Sequence, residues 1–152
     1  MRVFNGVDEF AAAVGEHLGY SEWHEITQPQ VDQFAEATGD HQWIHVDPER
    51  ARTGPFGTTI AHGYLTLSLI PTLGKEIYRV DGIALGINYG TNKVRFPQPV
   101  PVGARVRAGM QLAEVADSGK GKRFSCTYTI EIEGKEKPAC IAETVVVLVP
   151  AD

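Results

Sequence analysis

The chain has 152 residues, about one domain's worth of polypeptide and too little for two large domains. Hydrophobic residues make up 43% and charged residues 22%, far from the weakly hydrophobic, highly charged composition that stays disordered. Fourteen Lys and Arg against nineteen Asp and Glu leave a net charge of −5, the wrong sign for a protein that neutralises nucleic-acid phosphates.

In chain order, Met1 to Phe10 meets Asp8 and Glu9 before any apolar stretch of signal-peptide length, so the protein is expected to be cytoplasmic. Val7 to Leu18 reads as a helix. Thr27 then opens a capping-box pattern, with Pro29 in the first turn and Gln30 at the third helical position. Val31, Phe34, Ala35 and Thr38 fall at i, i+3, i+4 and i+7, and Gly39 stands where a left-handed C-terminal residue is wanted. Asp40 to Val46 reads as loop, after which Asp47-Pro48 restarts one or two helical turns that Gly54, Pro55 and Gly57 end.

Thr53 to Gly74 contains no Asp, Glu, Lys or Arg. A membrane-spanning helix needs about 20 mostly apolar residues. Here the first half is rich in Gly and Thr, and only Tyr64 to Leu73 is densely apolar. The region His62 to Tyr78 is therefore predicted as a buried core helix, kinked or interrupted at Pro71.

Beyond Asp81-Gly82 the period changes to two. Ile83, Leu85, Ile87 and Tyr89 alternate with small or polar residues, as do Val106, Ala108, Met110 and Leu112. Phe124, Cys126, Tyr128, Ile130 and Ile132 make the clearest strand, and Ala139 to Val149 ends the chain with another. Helices first and strands later give an α+β class, a single domain over residues 1–152 with one apolar helix against an antiparallel sheet. Cys126 and Cys140 fall in strands and are expected to be buried, unreactive thiols.

Polar residues with catalytic capacity concentrate between Thr38 and Asp47. Asp40 and His45 are five apart across the loop and form a chemical acid/base pair, since imidazole takes a proton from water near neutral pH and a carboxylate orients that water. The same residues also read as a turn-capping aspartate and a half-buried histidine. Asp40, His41, His45 and Asp47 are all possible metal ligands, but their spacing matches no common zinc pattern. Gly63 sits near the N-terminus of the buried helix, where free amides favour a developing oxyanion; equally, a glycine there permits tight packing. Lys93, Arg95, Arg105, Arg107, Lys120, Lys122 and Arg123 either meet phosphates of a nucleotide-like ligand or form a solvated strand face. No P-loop, dinucleotide-binding glycine motif or serine nucleophile elbow occurs.

The stretch Phe34-Ala35-Glu36-Ala37-Thr38-Gly39-Asp40-His41-Gln42-Trp43-Ile44-His45, followed by Ala51, resembles the signature of the MaoC-like (R)-specific enoyl-CoA hydratases. That pattern runs aromatic, small-Gly-Asp-x-Asn-Pro-aliphatic-His, then Ala or Ser. Gly54 to Gly63 and Val94 to Gly103 resemble later blocks, and the likeness extends over residues 27–149, closest to the short, single-domain mycobacterial-type members. The resemblance implies a hotdog fold, a long central helix wrapped by an antiparallel β-sheet, normally a homodimer with an acyl-CoA tunnel near the interface. It implies reversible syn hydration of a trans-2-enoyl-CoA to the (3R)-3-hydroxyacyl-CoA. Asp40 and His45 become the catalytic pair, Gly63 supplies the amide that polarises the thioester, and His62 and Gln42 join it as oxyanion or substrate-binding residues. No metal or cofactor is required. Gln42-Trp43 replaces the usual Asn-Pro, and Pro71 stands where some relatives place a small polar residue. A hotdog thioesterase and a non-catalytic acyl-CoA-binding partner subunit are the alternatives; the Asp40 to His45 spacing argues against the first and the presence of both groups against the second.

Overall fold

The computed structural model describes residues 1–151. Strand β1 (Arg2–Phe4), helix α1 (Val7–Ala12) and strands β2 (His17–Tyr20) and β3 (His24–Glu25) come first. Helices α2 (Gln28–Thr38), α3 (Trp43–Val46) and α4 (Pro48–Ala51) follow, then α5 (Gly63–Ser68) and α6 (Ile70–Ile77). The chain continues through β4 (Tyr78–Val80), β5 (Ile83–Arg95), β6 (Arg105–Ser118), β7 (Gly121–Ile132) and β8 (Cys140–Pro150). The main sheet has six strands in the order β2-β6-β7-β8-β5, with β3 also on β6, and its pairings are antiparallel. A separate parallel pair joins β1 to β4.

The period-two pattern does what it should in β7, where Phe124, Cys126, Tyr128, Ile130 and Ile132 are buried and the residues between them are not. That face meets Leu73 and Ile77 of α6. Phe10 of α1 joins the same core, its ring 4.7 Å from Phe124 and 4.9 Å from Tyr78. Cys126 and Cys140 are buried and unbridged, and burial pushes their thiols up to about 12 and about 11, far from the thiolate that reacts.

Capping chemistry read from the sequence holds. The Thr27 side chain accepts a hydrogen bond from the Gln30 amide, and Asp47 accepts from the Arg50 amide at 3.0 Å. Gly39 ends α2 with φ +80, in the left-handed region.

Two expectations are revised and a third, the interruption at Pro71, is met. The first helix stops at Ala12 instead of Leu18, because β6 captures the chain beyond it: the Gly15 amide donates to the Leu112 carbonyl at 2.7 Å, and Leu18 is buried in β2. Trp43 to Val46 forms a single helical turn within the expected loop. The helix expected over His62 to Tyr78 is two segments meeting at Leu69, since Pro71 has no N–H to continue the ladder. Leu69 still donates to Leu65 and accepts from Leu73, so the path remains nearly continuous.

The alternation in β5 does not correspond to burial within the chain. Every residue from Ala84 to Lys93 is exposed, with Leu85, Ile87 and Tyr89 among the large exposed hydrophobics, because β5 is the outer strand next to β8. No helix of the described residues is long and apolar enough to cross a membrane.

Candidate active site

Asp40 reaches its position because Gly39 turns the chain out of α2. Its carboxylate Oδ1 accepts from the Gln42 amide at 3.3 Å, and Oδ2 lies 4.0 Å from His62 Nε2. One helical turn later α3 presents His45, which is 6% exposed, whereas the Asp40 side chain is 53% exposed. The two residues paired by spacing are brought together with His62: one side-chain ligand atom from each of the three lies within 4.8 Å of the others.

His45 Nδ1 lies 2.7 Å from the Ile60 carbonyl. A carbonyl oxygen only accepts, so Nδ1 carries the hydrogen and Nε2 keeps a lone pair that can take a proton. Burial is the main cause that holds His45 below the ordinary imidazole value, and neighbouring His62 adds to it; the Ile60 carbonyl and Asp40 oppose. The balance favours the neutral form of His45.

A supporting network, which sequence reasoning missed, fixes this turn. Gln28 Nε2 donates to the His45 carbonyl at 2.8 Å, while Thr59 Oγ1 donates to Gln28 Oε1 at 2.5 Å. The Ile60 amide donates to the Ile44 carbonyl at 3.0 Å. Gln28, between the Thr27 cap and Pro29, carries no sequence signal for this role. The buried Thr59, 2% exposed, gives no periodic signal.

Gly63 is the first residue of α5, where backbone amides have no carbonyl of their own helix to bond. It adjoins the Phe96 ring, with a built Cβ only 3.0 Å away. Gln42 gives its carbonyl to the His45 amide, and its side chain is exposed. Trp43 packs its ring under Arg50, 4.3 Å from the guanidinium carbon, and against Gly54, so the bulky replacement for proline is absorbed away from the acid/base pair.

Of the other possible metal ligands, His41 lies 3.6 Å from Glu36 and Asp47 caps α4, so neither belongs to the cluster. The remaining set of Asp40, His45 and His62 is close-packed, but the two imidazoles are stacked, 3.8 Å between centroids and 24° between planes. Lone pairs of stacked rings run side by side instead of converging on one point, which is a poor match to tetrahedral coordination.

A cavity of about 580 Å³ runs between the helices and β5, β7 and β8, lined by Leu67, Ile70, Pro71, Gly74 and Tyr128 among others. A second recess, lined by Tyr64, Leu67, Lys93, Arg95 and Phe96, adjoins it through the shared Leu67 and Thr91 and lies at the Gly63 end of the helix. Among the basic strand residues, Arg105 pairs with Glu133, Arg107 with Glu131, and Lys122 with Asp117 and Asp8. Lys93 and Arg95 are the two that border the recess.

Comparison with known proteins places these features in a family. The model of the MaoC-like domain matches residues 9–134. A 3-hydroxyacyl-thioester dehydratase Z of Mycobacterium tuberculosis is 59% identical over 147 residues, covering 96% of this chain and 97% of that protein. Nodulation protein N of Rhizobium leguminosarum is 43% identical over 139 residues, covering 89% of this chain and 86% of that protein. Among solved structures, an (R)-hydratase from A. caviae involved in PHA biosynthesis superposes with a TM-score of 0.69 at 27% identity, covering 87% of this chain and 96% of that one. The helix-on-sheet architecture is the hotdog fold, and the chain belongs to the MaoC-like domain family.

Proposed function

We propose that the chain is an (R)-specific enoyl-thioester hydratase, catalysing reversible addition of water to a trans-2-enoyl-CoA to give the (3R)-3-hydroxyacyl-CoA. The observation that carries this reading is the meeting of an exposed carboxylate, Asp40, with the bare Nε2 of a buried neutral imidazole, His45, in one loop. The 59% identity to a 3-hydroxyacyl-thioester dehydratase supports the same hydro-lyase reaction.

In hydration, a water held by Asp40 and His45 gives a proton to His45 Nε2 while its oxygen bonds to the β-carbon. The π electrons of the double bond move toward the thioester, and the negative charge grows on the carbonyl oxygen. The Gly63 amide donates to that oxygen, with His62 fixing the entry to the helix. The proton on His45 then passes to the α-carbon. Oxygen and proton come from one side of the substrate, which makes the addition syn. The reaction needs no metal or organic cofactor.

In this reading the acyl chain would occupy the apolar cavity beside Pro71 and Gly74, and Lys93 with Arg95, which border the adjoining recess, would meet phosphates of the CoA carrier. Strand β5 leaves one edge unpaired and its apolar side chains bare, which supports a homodimer formed edge to edge by two copies of β5. CoA-thioester chemistry and two unbridged cysteines suit a cytoplasmic enzyme.

Loss of enoyl absorbance across a series of enoyl-CoA chain lengths tests the proposal, with chiral analysis of the product. Formation of the (3R) alcohol is expected. Release of free CoA without hydration would instead favour a thioesterase, and tight binding without turnover a non-catalytic partner subunit.

A further inference from the structure

His62 is 2% exposed and makes few polar contacts for an imidazole in the interior. Its Nε2 lies 3.0 Å from the backbone carbonyl of Asp40, so Nε2 carries the hydrogen and donates it. Nδ1 is then a buried acceptor, and it has no hydrogen-bond partner among the described residues. A phenylalanine in the same slot would stack as well but could not donate to the Asp40 carbonyl.

One face of the His62 ring lies on His45 at 3.8 Å between centroids, and the Phe34 ring is 4.9 Å away. The same residue therefore touches both members of the acid/base pair, one through its hydrogen and the other through its face. Its backbone also enters α5, its carbonyl accepting from the Thr66 amide at 3.1 Å. A shift of His62 must move Asp40, His45 and the Gly63 amide together.

We propose that His62 is a positioning residue that locks the Asp40 turn to the His45 ring, so that carboxylate and neutral imidazole address one water. The inference rests on the hydratase reading for its consequence in turnover, and on geometry alone for the coupling of the three residues. Charged and titratable groups brought toward His45 are Asp40 from the turn after α2 and His62 from the start of α5. Asp32 reaches it only through Gln28. Removing the His62 imidazole removes a neighbour that disfavours the His45 imidazolium, which moves the His45 titration to higher pH whether or not a ring remains in its place.

Two variants separate the two contacts. His62→Phe keeps a ring on His45 and drops the donor to Asp40; His62→Gln keeps an amide donor and drops the ring. NMR titration of the His45 ring reads the coupling without reference to activity, and its midpoint is expected to rise in both. In turnover, kcat is expected to fall roughly 100-fold in His62→Phe, the scale of a small misplacement of catalytic groups, and less in His62→Gln, with KM little changed. The acid limb of the pH profile should move up with the NMR midpoint. If the parent protein hydrates no enoyl thioester, the hydratase reading fails while the NMR comparison still decides the coupling. An unmoved His45 midpoint in a folded variant, or unfolding of both variants, would overturn the assignment, the latter because it makes His62 a core residue.

Discussion

Gly63 and Phe96 are in contact to the limit of what a glycine allows: a Cβ added to Gly63 would lie 3.0 Å from the Phe96 ring, closer than ordinary packing. The ring thus abuts the amide end of α5 without obstructing it. Gly63→Ala retains the N–H but forces Phe96 to shift over the place where the thioester oxygen is to be received. Phe96 is 41% exposed and free to yield, so folding should survive. We expect kcat/KM for enoyl-CoA hydration to fall roughly 100-fold, the effect of losing one oxyanion donor, with the thermal midpoint nearly unchanged. Full activity in this variant would remove Gly63 from the site.

Asp40→Asn and His45→Gln keep size and hydrogen-bonding capacity while removing the charge or the basic nitrogen. Asp40→Asn still accepts from the Gln42 amide through its side-chain oxygen, so the turn should persist. Each substitution should lower kcat by roughly 100- to 10,000-fold. The double variant should be no worse than the more damaged single one, because groups acting on one water are not additive. Steady-state hydration rates alongside thermal melting check this; additive losses would mean two independent roles.

Most of the candidate site is legible in the sequence, because its anchors are local. Asp40 and His45 lie within one loop, and the caps at Thr27, Gly39 and Asp47 are set by neighbours in the chain. What local pattern could not carry was contact across distance. Gln28 and Thr59 are 31 positions apart yet share a hydrogen bond beneath His45. The first helix ends before its apolar pattern does because the following residues are taken by β6, a partner almost a hundred residues away in sequence. In β5 the alternation was real, but only burial by something outside the chain would give it a purpose.

His45 titrates below 6.5, chiefly because burial disfavours its charged form. Above 6.5 the imidazole is neutral in both folded and unfolded chains, and below the folded value both are protonated. Between the two the unfolded chain holds the extra proton, so this residue's contribution to stability is lost as pH falls through that window. Catalysis needs the neutral base, so the acid limb of kcat/KM is expected below 6.5. Denaturant unfolding of the parent and of His45→Gln at several pH values isolates the stability effect, which should shrink in the variant. A limb above 6.5 would contradict a burial-depressed base.

Strand β5 offers a direct test of assembly. Ile87 is 46% exposed and Tyr89 66%, and among the described residues the strand's outer edge has no partner in the main sheet. Ile87→Lys places a charge where two copies of β5 would meet, a device that keeps sheet edges apart. Sedimentation should give a mass of two chains for the parent and one for the variant. Hydration activity should fall with the loss of dimer if the second copy closes the cleft. A monomeric parent would refute the homodimer outright.

Gly74 sets two opposing effects against each other at the floor of the cavity. In the interior of α6, replacing glycine by alanine favours the helix by about 0.8–1.0 kcal/mol. The added Cβ, however, would sit 2.8 Å from the Tyr128 hydroxyl oxygen, and Tyr128 is buried in β7. Overpacking of this kind costs about 1–3 kcal/mol. The second effect should win, so Gly74→Ala is expected to lower stability by about 1 kcal/mol. The next atom of Tyr128 lies at 3.5 Å, an ordinary contact, so deleting only the hydroxyl relieves the clash. In a Tyr128→Phe background Gly74→Ala should therefore be neutral or stabilising, and a double-mutant cycle should show favourable coupling between the two substitutions. Strict additivity would mean that α6 moves away from β7 to make room, and the cavity would widen with it.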